Sequence, residues 1–195
     1  MDLPPESVSC IFCVFTMYLK YGLQLLSILQ TGENKMNREL STSPPELKIY
    51  CARPITGCTY SEVVEYYRSI SKRLSNAHYR VLLPMVAKGY LEGGDVLKGC
   101  GYSIPACTDR AIKKRDRWMV GTCDVLFANL IGSNRVSIGT TMELAWGDEL
   151  RKHVVVATEP GNVHQHAFIT ECADIILEDE ESALQYLETL GLGNL

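Results

Sequence analysis

The sequence predicts a doubly wound α/β fold, with a mainly parallel five-stranded sheet and helices on both faces. Two observations carry this expectation. From Leu47 onward, short apolar runs alternate with segments of helical periodicity, the order that βα units require. The apolar runs, such as DVLFANL (124–130) and HVVVAT (153–158), are near-continuous rather than alternating, as in strands buried on both faces of a parallel sheet. Right-handed crossovers between such strands complete the arrangement.

Each element has a local signal. Leu47–Cys51 (LKIYC) reads as the first strand and is followed by a Pro/Gly loop to Gly57. Val63, Val64, Tyr67, Ile70 and Leu74 then recur at helical spacing, which predicts a helix over Tyr60–Asn76. Tyr79–Leu83 is the second strand, stopped by Pro84. Met85 to Pro105 carries Gly89, Gly93, Gly94, Gly99 and Gly101; a loop of that length inside a domain is commonly a lid or binding loop. Thr108 is placed to cap a helix running to about Gly121, with Asp109 in its first turn. Asp124–Leu130 is the third strand, Gly139–Arg151 the next helix and His153–Thr158 the fourth strand. Ala173–Leu177 is the fifth, and Glu180–Leu190 a closing amphipathic helix. Together these describe a Rossmann- or flavodoxin-like sheet, whose ligand belongs beyond the carboxyl ends of the strands. The loops after Cys51, Leu83, Leu130 and Thr158 meet on that edge.

The bulk composition is that of an ordinary globular chain: 195 residues, 46% hydrophobic, 22% charged and a formal net charge of -4. A disordered or low-complexity chain is excluded, and the slightly acidic balance gives no field for binding a nucleic-acid polymer. The eight cysteines are read as free and mostly buried thiols of a cytoplasmic protein, since a chain this apolar needs no disulfide framework.

Residues 1–46 read as an extension and 47–195 as the working domain. Cys10–Leu29 is apolar and long enough to cross a bilayer, but Lys20 sits near its middle, where a charge is costly. Asp2 and Glu6 precede it with no basic residue, and no small-residue cleavage pattern follows. The alternatives are an extension with Met36 as the working start, a surface or partner-docking helix, and, least favoured, a membrane anchor. Cys10 and Cys13 form a lone CxxC with no second pair at metal spacing.

Three carboxylates fall where this fold places a site. Asp116 lies in the helix before the third strand, Asp124 opens that strand, and Glu143 lies in the first turns of the next helix, after the small and polar loop GSNRVSIGTTME. A carboxylate near a helix N-terminus is expected to stay ionised, as nucleophilic attack on a sugar carbon requires. Equally, Glu143 on spacing alone serves as a dipole complement on a solvated turn. Asp116 sits in the basic run Arg110, Lys113, Lys114, Arg115 and Arg117, a pattern usual for a solvated face. Asp124 has the position of a turn or cap acid. His164 and His166 lie after the fourth strand, where a metal would want a third ligand; loop histidines facing the site or a neighbouring subunit are the simpler reading. Trp118 and Trp146 are read as core or interface residues.

The segments KIYCARPITG (48–57), RDRWMVGTCDVLFANL (115–130), SIGTTMELAWG (137–147) and KHVVVAT (152–158) resemble the nucleoside 2-deoxyribosyltransferase family, which includes nucleotide N-glycosidases acting on nucleoside monophosphates. The resemblance runs from about Leu47 to Leu190. It implies that Glu143, in Gly139-Thr140-Thr141-Met142-Glu143, attacks C1′ of the sugar, that Tyr50 orients it, and that Asp116 handles the leaving base. It further implies substrate contacts at Ser137, Arg53, Ile55, Gly57, Gly139 and Asp124, although Asp124 fits support of its strand start better. No cofactor and no metal are implied. The partners implied are a nucleoside or nucleoside monophosphate, a free nucleobase and further copies of the chain.

Base exchange between deoxynucleosides is the leading expectation; hydrolysis of nucleoside 5′-monophosphates is the alternative. Six residues before the glutamate the transferase branch carries an aspartate, where this chain has Ser137, as in the hydrolysing branch. A hydroxyl there removes repulsion against a phosphate dianion. The first loop departs from that branch's G-S-I-R-G pattern, with Pro54 and Thr56 at the serine and arginine positions; Arg53 or Arg135 is then left to supply positive charge. A non-catalytic nucleotide-binding module on the same fold is a further alternative. A dinucleotide-binding protein is disfavoured, because no GxGxxG follows the first strand.

Overall fold

Strand β1 (Leu47–Ala52) shows how the chain builds its sheet. Ile49 and Cys51 point to one face, Tyr50 and Ala52 to the other, and all four are buried. The same division holds in β3 (Val125–Asn129) and β4 (His153–Ala157), so the central positions of these strands are apolar on both sides because both faces are covered. With β2 (Tyr79–Leu82) and β5 (Ile175–Leu177) they form an all-parallel sheet in the order β2-β1-β3-β4-β5. The direction of winding reverses between β1 and β3, which makes the carboxyl ends of those two strands the topological switch point. This computed structural model describes residues 46–91 and 96–193. The readings of residues 1–45, including the apolar stretch and Cys10–Cys13, lie outside the described residues, as do Gly93 and Gly94.

Helices α1 (Tyr60–Asn76) and α5 (Glu180–Leu192) contribute to the core on one face; α2 (Asp109–Thr122), α3 (Ile138–Glu149) and the single turn α4 (Ala167–Thr170) contribute to the core on the other. Helix α1 begins in a reciprocal capping box between Thr59 and Glu62 and buries Val63, Tyr67, Ile70 and Leu74. Arg73 donates two hydrogen bonds each to Glu181 and Glu188, tying α1 to α5. The helix ends at His78, which holds a left-handed φ of 64° on an exposed turn. Replacing His78 with glycine is expected to raise unfolding stability by about 0.5–1 kcal/mol, read by denaturant titration, because glycine has no β-carbon penalty there.

Several strand boundaries and several side-chain placements differ from expectation: β1 runs on to Ala52 rather than Cys51, β3 stops at Asn129 rather than Leu130, and β4 at Ala157 rather than Thr158. Strand β2 ends at Leu82 rather than Leu83. Strands β3 and β5 begin after Asp124 and Asp174 because each aspartate uses its carboxylate to hold the neighbouring strand: Lys48 N donates to Asp124 Oδ2 at 2.8 Å and Val154 N to Asp174 Oδ2 at 2.7 Å. Trp118 is not a core residue but 65% exposed on α2, whereas Trp146 packs partly buried against the α2/α3 core. Of the described thiols, Cys51, Cys107 and Cys123 are buried, Cys58 and Cys172 partly so, and Cys100 is exposed; all are free. Within the long loop, Gly89–Leu91 and Pro105–Cys107 form single 3-10 turns. Val96 pairs with Thr59 and buried Leu97 exchanges backbone hydrogen bonds with the loop after β1. Among the described residues no helix is long and apolar enough to cross a membrane.

Candidate active site

Tyr50 and Glu143 meet on the α2/α3 face of the sheet, at the switch point. The alternation of β1 turns Tyr50 toward Met119, Val120 and Leu144, where it is fully buried. Ser137 caps α3 by accepting from Thr140 N. Thr140, Glu143, Leu144 and Gly147 form its buried stripe. A β-carbon at Gly147 would lie 3.0 Å from Leu126 Cδ1 and 3.2 Å from Val154 Cγ2, so this glycine lets α3 sit close on the sheet and brings Glu143 in with it. The Tyr50 hydroxyl then donates to Glu143 Oε1 at 2.6 Å.

Glu143 departs from the expected ionised state. Burial pushes its carboxyl up to about 8, and the nearby Asp116 charge adds to the rise; the Tyr50 hydrogen bond and Lys88 pull the other way. The helix dipole does not hold it ionised because its effect fades within the first turn, and Glu143 lies in the second, only 7% exposed. Burial likewise raises the Tyr50 phenol well above its ordinary range, which keeps it a proton donor to the carboxylate.

Asp116 is not on a solvated face. It is 8% exposed, its Oδ1 is buried without a hydrogen-bond partner among the described residues, and burial raises its carboxyl while Lys88 and Arg115 lower it. Two neighbours escaped sequence reasoning. Lys88, 5% exposed, feels Asp116, Arg115, Glu143 and Cys107. Tyr67, from α1, has a buried hydroxyl without a partner among the described residues and feels the charge of Glu143. A buried lysine in a glycine-rich loop has no signature in composition, and Tyr67 reads as one more apolar position of its helix.

The other candidates sort by the edge they occupy. Ser137 N donates to Nε2 of buried His164 at 2.8 Å, and His164 Nδ1 pairs with Asn162 Oδ1 at 2.9 Å; the Ser137 contact requires a proton on Nδ1. His164 therefore positions the start of α3, and His166 caps α4 by accepting from Phe168 N. Arg53 stacks over the Tyr66 ring at 4.0 Å, and the Tyr66 hydroxyl accepts from Asn129. Gly57 holds a φ of 95°, and a β-carbon there would meet Arg135 Nη2 at 2.5 Å, so Arg135 lies across the loop after β1. Gly139 is exposed with open space where a side chain would stand, and Ile55 packs partly buried against the α1/α5 core. Asp124 is a correction: it lies at the amino-terminal edge of the sheet, opposite the switch point, and its carboxylate is taken by Lys48 N. It cannot touch a substrate held at Glu143. Among the described residues no group of three or more His, Cys, Asp or Glu side chains is arranged to hold a metal.

Fold and site together define a flavodoxin-like α/β protein with a buried carboxyl–phenol pair at its switch point. No protein-family model and no curated protein matches the chain. Among solved structures, a conserved protein from Enterococcus faecalis V583 is similar with a TM-score of 0.50 at 16% identity, over 74% of this chain and 98% of that one; the likeness extends to the fold. A CMP N-glycosidase from Clostridium botulinum, BcmB, has a TM-score of 0.47 at 13% identity over 75% and 98% of the two chains. A cyanobacterial phytochrome response regulator, RcpA, has 0.35 at 15% over 76% and 90%.

Proposed function

We propose that this chain cleaves the N-glycosidic bond of (deoxy)nucleosides through Glu143 and transfers the sugar to another base. The observation that carries the reading is the buried 2.6 Å hydrogen bond from Tyr50 to Glu143, with the buried carboxyl of Asp116 alongside; the sequence resemblance supports the same roles. In the first step a Glu143 oxygen forms a bond to C1′ as the C1′–N bond breaks. The electron pair leaves with the base, and protonated Asp116 donates its proton to that nitrogen, as a poor leaving group requires. In the second step a nitrogen of an incoming base attacks C1′, its proton passes to Asp116, and the Glu143 carboxylate is released with net retention. The exposed apolar side chains of Val136, Ile138, Met142, Val163 and Phe168 support a homo-oligomer.

Hydrolysis of nucleoside 5′-monophosphates is the second reading, favoured by Ser137, by Arg135 across Gly57, and by the exposed first turn of α3, whose N–H groups suit an anion. Incubation with a deoxynucleoside plus a foreign base should yield the new nucleoside, followed by chromatography. Base release from monophosphates alone would replace transfer by hydrolysis, and no base release from any substrate would remove the glycosidic reading.

A further inference from the structure

We propose that Lys88 is the leaving-base residue of this site, donating to a ring carbonyl oxygen of the base, so that oxo bases are preferred over adenine. The inference rests on the glycosidic reading and names the chemistry of its leaving group.

Three independent features point to Lys88. Its side chain is drawn inward at only 5% exposure, yet among the described residues it forms no ion pair within 4.0 Å. Drawing a lysine this far from water is costly, and doing so beside two carboxyls suits an ammonium that meets the substrate. Second, the backbone is held to place it. Ala87 carries a left-handed φ of 60°, strained for a residue with a side chain. The Cys107 thiol donates to Ala87 O at 3.3 Å, and the Lys88 N–H and C=O are taken by Met85 and Leu91. Third, the surroundings hold complementary unpaired groups. Among the described residues Asp116 Oδ1 is buried with no partner, and so are Nε and Nη2 of Arg115, whose Nη1 is anchored on Ala106 O at 2.8 Å. An ammonium, which only donates, beside a carboxyl, which accepts or gives a proton, matches a ring bearing a carbonyl next to an N–H or amino group.

The chemistry follows. As Glu143 bonds to C1′ and the C1′–N pair moves into the base, negative charge spreads to the ring carbonyl oxygen. The Lys88 ammonium donates to that oxygen without losing its proton, while Asp116 supplies the proton to a ring nitrogen. Adenine has no carbonyl oxygen and loses this contact. Uracil, thymine, cytosine, hypoxanthine and guanine keep it.

The test is Lys88→Met, which retains the bulk and removes the charge. Thermal melting checks that it folds, and loss of a charge held away from water should leave stability equal or higher. Base release is then measured with matched oxo-base and adenine substrates. Compared each at its own pH optimum, kcat/KM for oxo bases should fall about 10–100-fold, the size of one lost charge-assisted hydrogen bond, and for adenine by less than about threefold. The variant's pH profile should also move to higher pH, because Lys88 faces Asp116, Glu143, Arg115 and Cys107 and favours ionisation of the two carboxyls. Equal losses on both substrate classes, or no loss on either, would overturn the Lys88 assignment and leave the glycosidic reading standing. A wild-type protein that releases no base from any of these substrates would overturn both.

Discussion

Glu143→Gln is expected to lower base release by about 10⁴-fold or more, the scale of losing a nucleophile, while making the protein more stable at pH 8. The two effects have one origin. The glutamine keeps the shape and can still accept from Tyr50, so the 2.6 Å contact has a neutral replacement. What disappears is a carboxyl whose folded pKa, about 8, stands above the value of an exposed glutamate. The stability this carboxyl contributes is fully present below pH ~4.3, the unfolded value, and is lost as pH rises through that window to about 8. The wild type should therefore lose stability relative to Glu143→Gln between pH 5 and pH 8, by roughly 3–4 kcal/mol. Melting curves at the two pH values measure it. A constant difference would show that Glu143 is already ionised at pH 5. In the same vein, wild-type kcat/KM should follow a bell in pH, because the step needs Glu143 ionised while Asp116 is still protonated. The covalent step has its own readout: acid quench during turnover should leave a sugar-sized mass on the peptide carrying Glu143, and its absence would argue for direct displacement.

Tyr50→Phe is the second large expectation, with a loss of about 10²–10³-fold in kcat, comparable to removing one preorganised donor from a transition-state site. The hydroxyl orients Glu143 and lowers the cost of its charge, so removing it acts through both terms. The diagnostic is the direction of the pH profile. Tyr50 favours the ionised carboxylate, so its loss should move the midpoint of kcat/KM to higher pH. Lost activity at an unchanged midpoint would mean that the ring matters through packing alone. Because both residues act on one group, the double variant Tyr50→Phe with Glu143→Gln should be scarcely worse than Glu143→Gln, a strong departure from additivity.

Much of the architecture was legible because it depends on short-range patterns. Apolar runs of five or six residues, helix periodicity in Val63–Leu74, and capping at Thr108 each act within a few residues. Strand starts were less legible. Asp124 and Asp174 terminate their strands by side-chain bonds to residues 76 and 20 positions away, and no local window contains both partners. The same limit applied to the histidines after β4: that pairing joins His164 to Ser137 N across 27 positions.

The candidate site divides along the same line. The sequence resemblance put forward Glu143, Asp116 and Tyr50 as candidates, since residue type and motif order survive without coordinates. Their electrostatic state was not contained there. A carboxylate near a helix start reads as ionised, but the close seat of α3 on the sheet at Gly147 buries it and reverses that expectation. The inward turn at Ala87 that carries Lys88 toward Asp116, and the removal of Asp124 to the far edge of the sheet, were likewise settled by packing. Chemical identity is a property of the residue, whereas burial, ionisation and proximity belong to the fold around it. Fold class and strand order along the chain could therefore be written from the sequence, while the burial of Glu143 and its lysine neighbour had to come from the packed structure.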